Sequence, residues 1–317
     1  MATIAVVGEI VADAVLPAGG IVDGAAHLTV HPGGGPANVA VALARLGSTA
    51  RYAGRISTGS FGRMAREKLA AAGVDLTASQ DAAEPQTLAI ARLSAAGAAS
   101  YEFYTSGTAD WAWTDAGLAP LIDGPFPRGD APVAVHAGSL ALVLQPSGEV
   151  IERLLVRARE RLTVSIDPNL RTLLVPAQHY REAIGSWAGL ADIVRLSGDD
   201  LLELWPHFTP EQAAEHLHSL GVRLVVVSLG EDGAYASLLG HEVRVPIAPT
   251  RLVDTVGAGD SFHGGLLHRL AEGGHLGGRL ETLDAAGLQD ALEFAARVAA
   301  ITVSRAGADP PWSHELD

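Results

Sequence analysis

The chain contains no cysteine. That absence excludes disulfide staples, cysteine-ligated zinc, iron–sulfur clusters and thiol nucleophiles together, and it fits a reducing compartment. Lysine is nearly missing as well. Lys68 stands alone, preceded by Glu67, so a phosphate loop built on Gly-Lys-Ser/Thr is excluded. Basic charge is scarce: 22 Lys+Arg against 36 Asp+Glu leave a net charge of −14. That sign argues against a nucleic-acid or anionic-membrane partner. It leaves a phosphorylated ligand open, because a few local amides hold an anion on an acidic protein. Long apolar runs are lacking too. Nothing approaches the roughly 20 apolar residues of a spanning helix. The start, MATIAVVGEI, has no basic region before its short run Ile4–Val7, so the protein is expected in the cytoplasm. No G-x-G-x-x-G follows that run, which weakens a dinucleotide site.

What is present is ample core material: 48% hydrophobic and 18% charged residues over 317. Ile4–Val7, Val133–Val135, Val164–Ile166, Ile193–Leu196 and Leu224–Val227 are short runs of the buried-strand type. Helical patterns separate them at Pro36–Leu46 (closed by Gly47), Gly62–Ala72, Glu149–Arg161 and Ala177–Leu190, and another opens at Thr209-Pro210-Glu211-Gln212. The alternation predicts an α/β fold, a Rossmann-like, mostly parallel sheet with helices on both faces. Two stretches break the rhythm, about 11–31 and 87–110, and are expected to form a small β-lid inserted into a single domain spanning 1–317. The second holds a hairpin with its tip at Ser94–Ala99. Thr114–Pro132 and Gly273–Gly287, rich in Gly, Pro and Asp, read as surface loops. Arg153, Arg157, Arg159 and Arg161 share a predicted helix with Glu149, Glu152 and Glu160, a solvated face with i,i+4 pairs. His31, His136 and His263 lack metal-helix spacing and read as packing or surface histidines, and Trp111 and Trp113 as core or hinge.

Two glycine loops carry the chemistry. The late one, Asp254-Thr255-Val256-Gly257-Ala258-Gly259-Asp260-Ser261-Phe262, opens a helical pattern running to about Leu270. Small residues at a helix start let backbone amides approach an anion. Asp260 stands beside them, and a carboxylate next to phosphate-binding amides suits a substrate hydroxyl between the two. Asp260 takes the proton while the amides hold charge on the transferring phosphoryl group. The early loop, Gly33-Gly34-Gly35-Pro36-Ala37-Asn38, also precedes a helix, and the Asn38 amide suits a pair of sugar hydroxyls. Asp13 can accept more of them. Each loop alone also reads as a tight turn, and Asp260 as a first-turn helix acid.

Together the loops resemble the two signatures of the ribokinase-like (PfkB) carbohydrate kinases. Gly54-Arg55-Ile56, Asp167-Pro168-Asn169-Leu170-Arg171 and Ser228-Leu229-Gly230 with Gly233 extend the likeness along the whole chain. The resemblance implies an ATP-dependent sugar kinase. Asp260 matches the catalytic base, and Gly257, Ala258 and Gly259 the anion hole. Asp13, Gly34 and Asn38 match sugar contacts, and Ser228, Gly230 and Gly233 the nucleotide loop. Gly-Gly-Gly-Pro-Ala-Asn, Phe103–Asp110 and Asp-Pro-Asn-Leu-Arg look like the fructokinase branch, with Phe103 over the sugar and Arg171 on phosphate or substrate. Gly35 stands where ribokinases carry Lys, and Ser139 near where they carry a sugar-binding Glu. The family's N-x-x-E motif falls on Ser197-Gly198-Asp199-Asp200, with Ser197 at the nucleotide and Asp200 reaching Mg2+ through water. A potassium site would use Asp254, Val256, Thr302, Arg305 and Gly307, although Pro311 replaces a hydroxyl residue often found there. The expected partners are a sugar, ATP and a second copy of the chain paired through the lid. Another acceptor (ribose, 2-keto-3-deoxygluconate or a nucleoside), a silent sugar-binding protein and a dinucleotide oxidoreductase stay open as alternatives.

Overall fold

Thr3–Val7 is buried along its whole length, and its side chains part by parity. Ile4 and Val6 enter one core, Ala5 and Val7 the other. A strand covered on both faces requires this division. In the computed structural model, which describes residues 2–94, 99–126 and 130–316, this strand lies within an eight-stranded sheet. From one edge the strands run His241–Val245, Ala234–Leu238, Leu224–Ser228, Ile193–Ser197, Thr163–Asp167, Pro132–Gly138, Thr3–Val7 and Thr49–Ala53. The last six are mutually parallel, and only the edge hairpin is antiparallel. One core holds Trp111, Trp113, Ile151, Leu155, Tyr180 and Trp187. The other holds Leu43, Tyr52, Leu69, Leu266 and Leu292. The expected doubly covered α/β sheet is present, and both tryptophans pack in the core.

Local signals set the helix ends. Gly47 takes the left-handed conformation at φ 107 and donates to the last carbonyls of Gly35–Leu46. Thr209 and Gln212 form a reciprocal capping box on Pro210–Ser219. Thr114–Pro132 is not all loop. Asp115–Asp123 is a helix with Thr114 as its N-cap, and Leu118, Leu121 and Ile122 bury its inner face. Pro120 disguised it, yet the buried i, i+3, i+4 stripe outweighed the lost backbone bond. The arginine ladder also pairs differently. Arg153 bonds Asp115 at 2.9 and 3.0 Å, and Arg157 and Arg161 bond Asp123, all on the neighbouring helix. Of the on-helix pairs expected, Arg153–Glu149 at 4.0 Å is an ion pair.

A small four-stranded sheet has the order Ala99–Tyr104, Leu88–Leu93, Val11–Leu16, Thr29–Gly33. Its central pair is parallel and the outer pairs antiparallel. Residues 95–98 of the expected hairpin tip lie outside the described residues. Asp110 knots this sheet to the main one. Its buried carboxylate accepts from the amides of Ile10 at 2.9 Å and Thr87 at 3.3 Å, and from Gln86 Nε2.

The two loop-bearing helices, Gly35–Leu46 and Ala258–Glu272, pack together at Gly264. A Cβ there would lie 2.6 Å from Ala42 Cβ and 3.3 Å from the Val39 carbonyl oxygen. The absent side chain lets the helices approach closely enough to bring their first turns together.

Candidate active site

Those first turns meet through side chains. Asn38 Nδ2 donates to Asp260 Oδ2 at 2.8 Å. Gly257 caps the late helix in the left-handed conformation, φ 76, and a Cβ there would strike Ala308 at 2.4 Å. This geometry demands glycine. Amides of a first helical turn have no partner within the helix, so they and the dipole make an anion cradle beside Asp260. Burial pushes the Asp260 carboxyl above the usual range, Asp167 adds to this, and Asn38, Arg171 and Arg195 pull it partly back. A base with a raised pKa is a better proton acceptor as long as it is ionised.

The early loop faces the same space. Gly34 adopts φ 102, and a Cβ on it would lie 2.6 Å from the Glu9 carbonyl oxygen. At Gly33 a Cβ would fall 1.8 Å from Asp13 Oδ2, so the bare glycine is what admits the Asp13 carboxylate. Burial raises Asp13 to about 6, opposed by Arg171 and Lys68. Gly35 turns its open side toward Asn169 Nδ2, Asp260 Oδ1 and Ser139, at 2.8, 3.4 and 3.8 Å from a built Cβ. Asp13, Ala89 and Phe103 form one rung across the small sheet, so Asp13 and Phe103 share a face of it. Phe103 is half-buried and stacks on Tyr101 with ring centroids 6.1 Å apart.

Arg171 Nη1 donates to Asn169 Oδ1 at 2.7 Å and to the Leu170 carbonyl at 2.9 Å. Asn169 and Ser139 both carry positive φ, 41 and 59. Neither residue type is glycine, and such backbone strain gathers at functional sites. Both line the space beside Asp260. Asn169 was legible only as part of a motif, and its side-chain position needed the tertiary structure.

Of the residues expected at the nucleotide, Ser197 and Ser228 end parallel strands, where open α/β sheets bind ligands, and Gly230 and Gly233 follow in the next turn. Ser197 caps Gly198–Leu204 and shares a reciprocal box with Asp200. Asp200 is buried; Oδ2 accepts from the Ser197 amide and hydroxyl, and Oδ1 from the Leu170 amide at 2.8 Å. Ser228 accepts from Arg195. Gly230 and Gly233 turn with φ 58 and 83, and a Cβ on Gly233 would lie 2.1 Å from the Val245 carbonyl oxygen. Asp254 bridges two segments, accepting from the amides of Val256 at 3.0 Å and Gly307 at 2.7 Å. The Arg305 amide donates to the Thr302 carbonyl at 3.1 Å. Thus the five residues expected around a potassium ion come from two segments held together by Asp254. Among the described residues no group of three or more His, Asp or Glu side chains is arranged to hold a metal.

Arg195 was missed. It sits inside Ile193–Leu196, read above as an apolar run, and a lone arginine in a buried strand is itself the signal, since such a charge must be paired. Glu9 was missed too. It is 2% exposed, accepts from the Ala141 amide at 3.1 Å, and burial pushes it up to about 7.

The match to known proteins runs over the same residues. The family model described as "pfkB family carbohydrate kinase" matches residues 1–315. The chain belongs to the pfkB family of carbohydrate kinases. As a member of that family it is an ATP-dependent sugar kinase. It is 34% identical over 291 residues to fructokinase-1 of Oryza sativa subsp. japonica, covering 90% of this chain and 86% of that one. Among solved structures, a fructokinase with bound ATP from Xylella fastidiosa superposes with a TM-score of 0.85 at 27% identity, over 99% of this chain and 97% of that one. A double-mutant fructokinase from Vibrio cholerae O395, in a fructose-, ADP- and potassium-bound form, superposes at 0.79 with 28% identity, over 97% and 94%. No helix of the described residues of this pfkB-family kinase is long and apolar enough to cross a membrane.

Proposed function

We propose that this kinase is a fructokinase, transferring the γ-phosphoryl group of ATP to the 6-hydroxyl of D-fructose. The observation that carries the reading is the Asn38–Asp260 pair at the mouth of the late-loop cradle. One carboxylate oxygen is tethered by the amide, and the other lies beside the bare Gly35 and Asn169 Nδ2, where the hydroxymethyl group would meet it. The fructokinase relatives make fructose the first acceptor to expect.

On this reading Asp13, Gly34, Asn38 and Arg171 hold the sugar, and the small sheet, carrying Phe103, is a lid that closes over it within a single domain spanning the chain. Closure excludes water, the competing acceptor. Asp260 removes the hydroxyl proton as the oxygen bonds to the γ-phosphorus. The bond from that phosphorus to the bridging oxygen breaks, and ADP leaves. Gly257, Ala258 and Gly259 present amides to the charge on the transferring group. Ser197, Ser228, Gly230 and Gly233 hold the nucleotide. Asp200, its oxygens already engaged, would hold Mg2+ through water, and the ion would supply positive charge to the phosphates. Asp254 with the carbonyls of Val256, Thr302, Arg305 and Gly307 would suit potassium, since carbonyl oxygens can replace that ion's hydration shell. The exposed tyrosines Tyr101 and Tyr104 of the small sheet, and the exposed Ile21 and Val22 of a separate two-stranded hairpin in the same insertion, support pairing of two copies through the lid.

The test is an acceptor panel with ATP: fructose, ribose, 2-keto-3-deoxygluconate, tagatose 6-phosphate and adenosine, with the phosphorylated position read by NMR. Fructose should show the highest kcat/KM, with phosphate on carbon 6. A tenfold preference for another acceptor overturns fructose and leaves the kinase intact.

A further inference from the structure

Behind the late-loop cradle lies a buried positive charge. Arg195 is 4% exposed and stands in the middle of Ile193–Ser197. A Cβ built on Gly259 would lie 2.6 Å from its Nη2, 2.8 Å from Nη1 and 3.0 Å from Cζ. The guanidinium is therefore packed flat against the backbone that forms the cradle. It reaches both neighbouring strands, with Nη1 on Asp167 Oδ2 at 2.9 Å and Nη2 on the Ser228 hydroxyl. Asp167 also faces His263, one turn beyond Asp260 on the late helix, at 3.6 Å. His263 in turn bonds Ser165 at 2.7 Å. Burial alone would raise Asp167, but Arg195 and His263 hold it well below the usual carboxylate range, so the pair is ionised.

A buried ion pair is a poor way to gain stability, because desolvation offsets most of the attraction and apolar residues of similar volume often do as well. The pair also leaves Arg195 Nε buried without a hydrogen bond. Its position is better explained by what lies in front of it. We propose that Arg195 is a positioning residue for phosphoryl transfer. It clamps the Gly257–Gly259 backbone against the ends of three central strands and sets a fixed positive charge behind the amides that meet the transferring group. This rests on the anion-hole reading of that loop. A charge in a low-dielectric site needs no reorganisation when negative charge develops before it. The clamp also explains why position 259 must be glycine although its backbone needs no positive φ.

Arg195→Met should lower kcat about 10- to 100-fold, less than the roughly 10²–10³ for losing a donor that touches the transferring group, because Arg195 acts from behind the amides, with the KM for sugar within about threefold. Arg195→Lys, which keeps the charge, should recover most of the loss. Should Arg195→Met fail to fold, Gly259→Ala poses the same question. Its methyl should lower kcat strongly beside arginine and much less in an Arg195→Lys background, where the narrower ammonium leaves space. Arg195→Met with normal kcat, a lysine variant no better than methionine, or strictly additive Gly259→Ala and Arg195→Lys effects overturn the proposal. The reading beneath it fails differently: Gly259→Ala would then be harmless beside arginine, or Asp260→Asn would turn over normally.

Discussion

Asn38 and Asp260 lie 222 positions apart in the chain, yet the amide of one holds the carboxylate of the other at 2.8 Å. The bond steadies the proposed base and favours its ionised form, against the burial that pushes it up. Asn38→Ala removes a donor to the charged form, so Asp260 must bind its proton at higher pH. The acid limb of the kcat–pH profile should move upward, with a smaller loss at pH 9 than at pH 6. Unchanged profiles at both ends would separate Asn38 from the base.

Asp260→Asn should lower kcat by about 10²–10⁴, the usual worth of a general base, while ATP binding by calorimetry stays near normal. The lost contribution belongs to the transition state, not to nucleotide affinity. A variant with ordinary turnover excludes proton abstraction by this residue.

Gly264→Ala places a methyl where Ala42 Cβ and the Val39 carbonyl already stand. Overpacking of this kind costs about 1–3 kcal/mol, read as a lower denaturation midpoint. Because the helices it separates carry Asn38 and Asp260, kcat should fall as well. Full activity in a destabilised variant would show that the two first turns tolerate the shift.

Gly33→Ala drives a methyl into Asp13 Oδ2 and should displace that carboxylate from the space proposed for the sugar. The KM for the sugar should rise about tenfold or more, the loss of a charged hydrogen bond, with the KM for ATP unchanged. Equal effects on both substrates would place Asp13 outside the acceptor site.

Burial raises Glu9 to about 7 from an ordinary 4.5. Between these values the folded state binds more protons than the unfolded one, so stability falls as pH rises through that window. At about 1.4 kcal/mol per unit, the loss attributable to Glu9 is roughly 3 kcal/mol. Glu9→Gln should flatten the decline, so its stability difference from the parent grows between pH 5 and 8. Parallel pH–stability curves would show that Glu9 does not titrate there.

Much of this was legible along the chain. Thr3–Val7 and Leu224–Ser228 announce themselves as apolar runs, and Gly47 and Thr209 announce helix ends, because burial on two faces and capping depend on neighbouring residues. The glycine loops were visible for the same reason. Asp115–Asp123 was hidden by Pro120, whose local cost is outweighed by side chains buried against distant elements. Arg195 was hidden by apolar neighbours, and Asn169 by the lack of any sequence signal for where its side chain points.

The order of residues alone determined a parallel sheet covered by helices, an acidic surface, and two small-residue loops each opening a helix. Those follow from periodicity, charge count and backbone freedom, which act over a few positions. Tertiary structure alone decided that the two helices touch at Gly264, that Asn38 therefore meets Asp260, and that a guanidinium from the central sheet lies beneath Gly259. Contacts between segments far apart in the chain depend on close packing of the whole core, and packing is a property no short window of sequence contains.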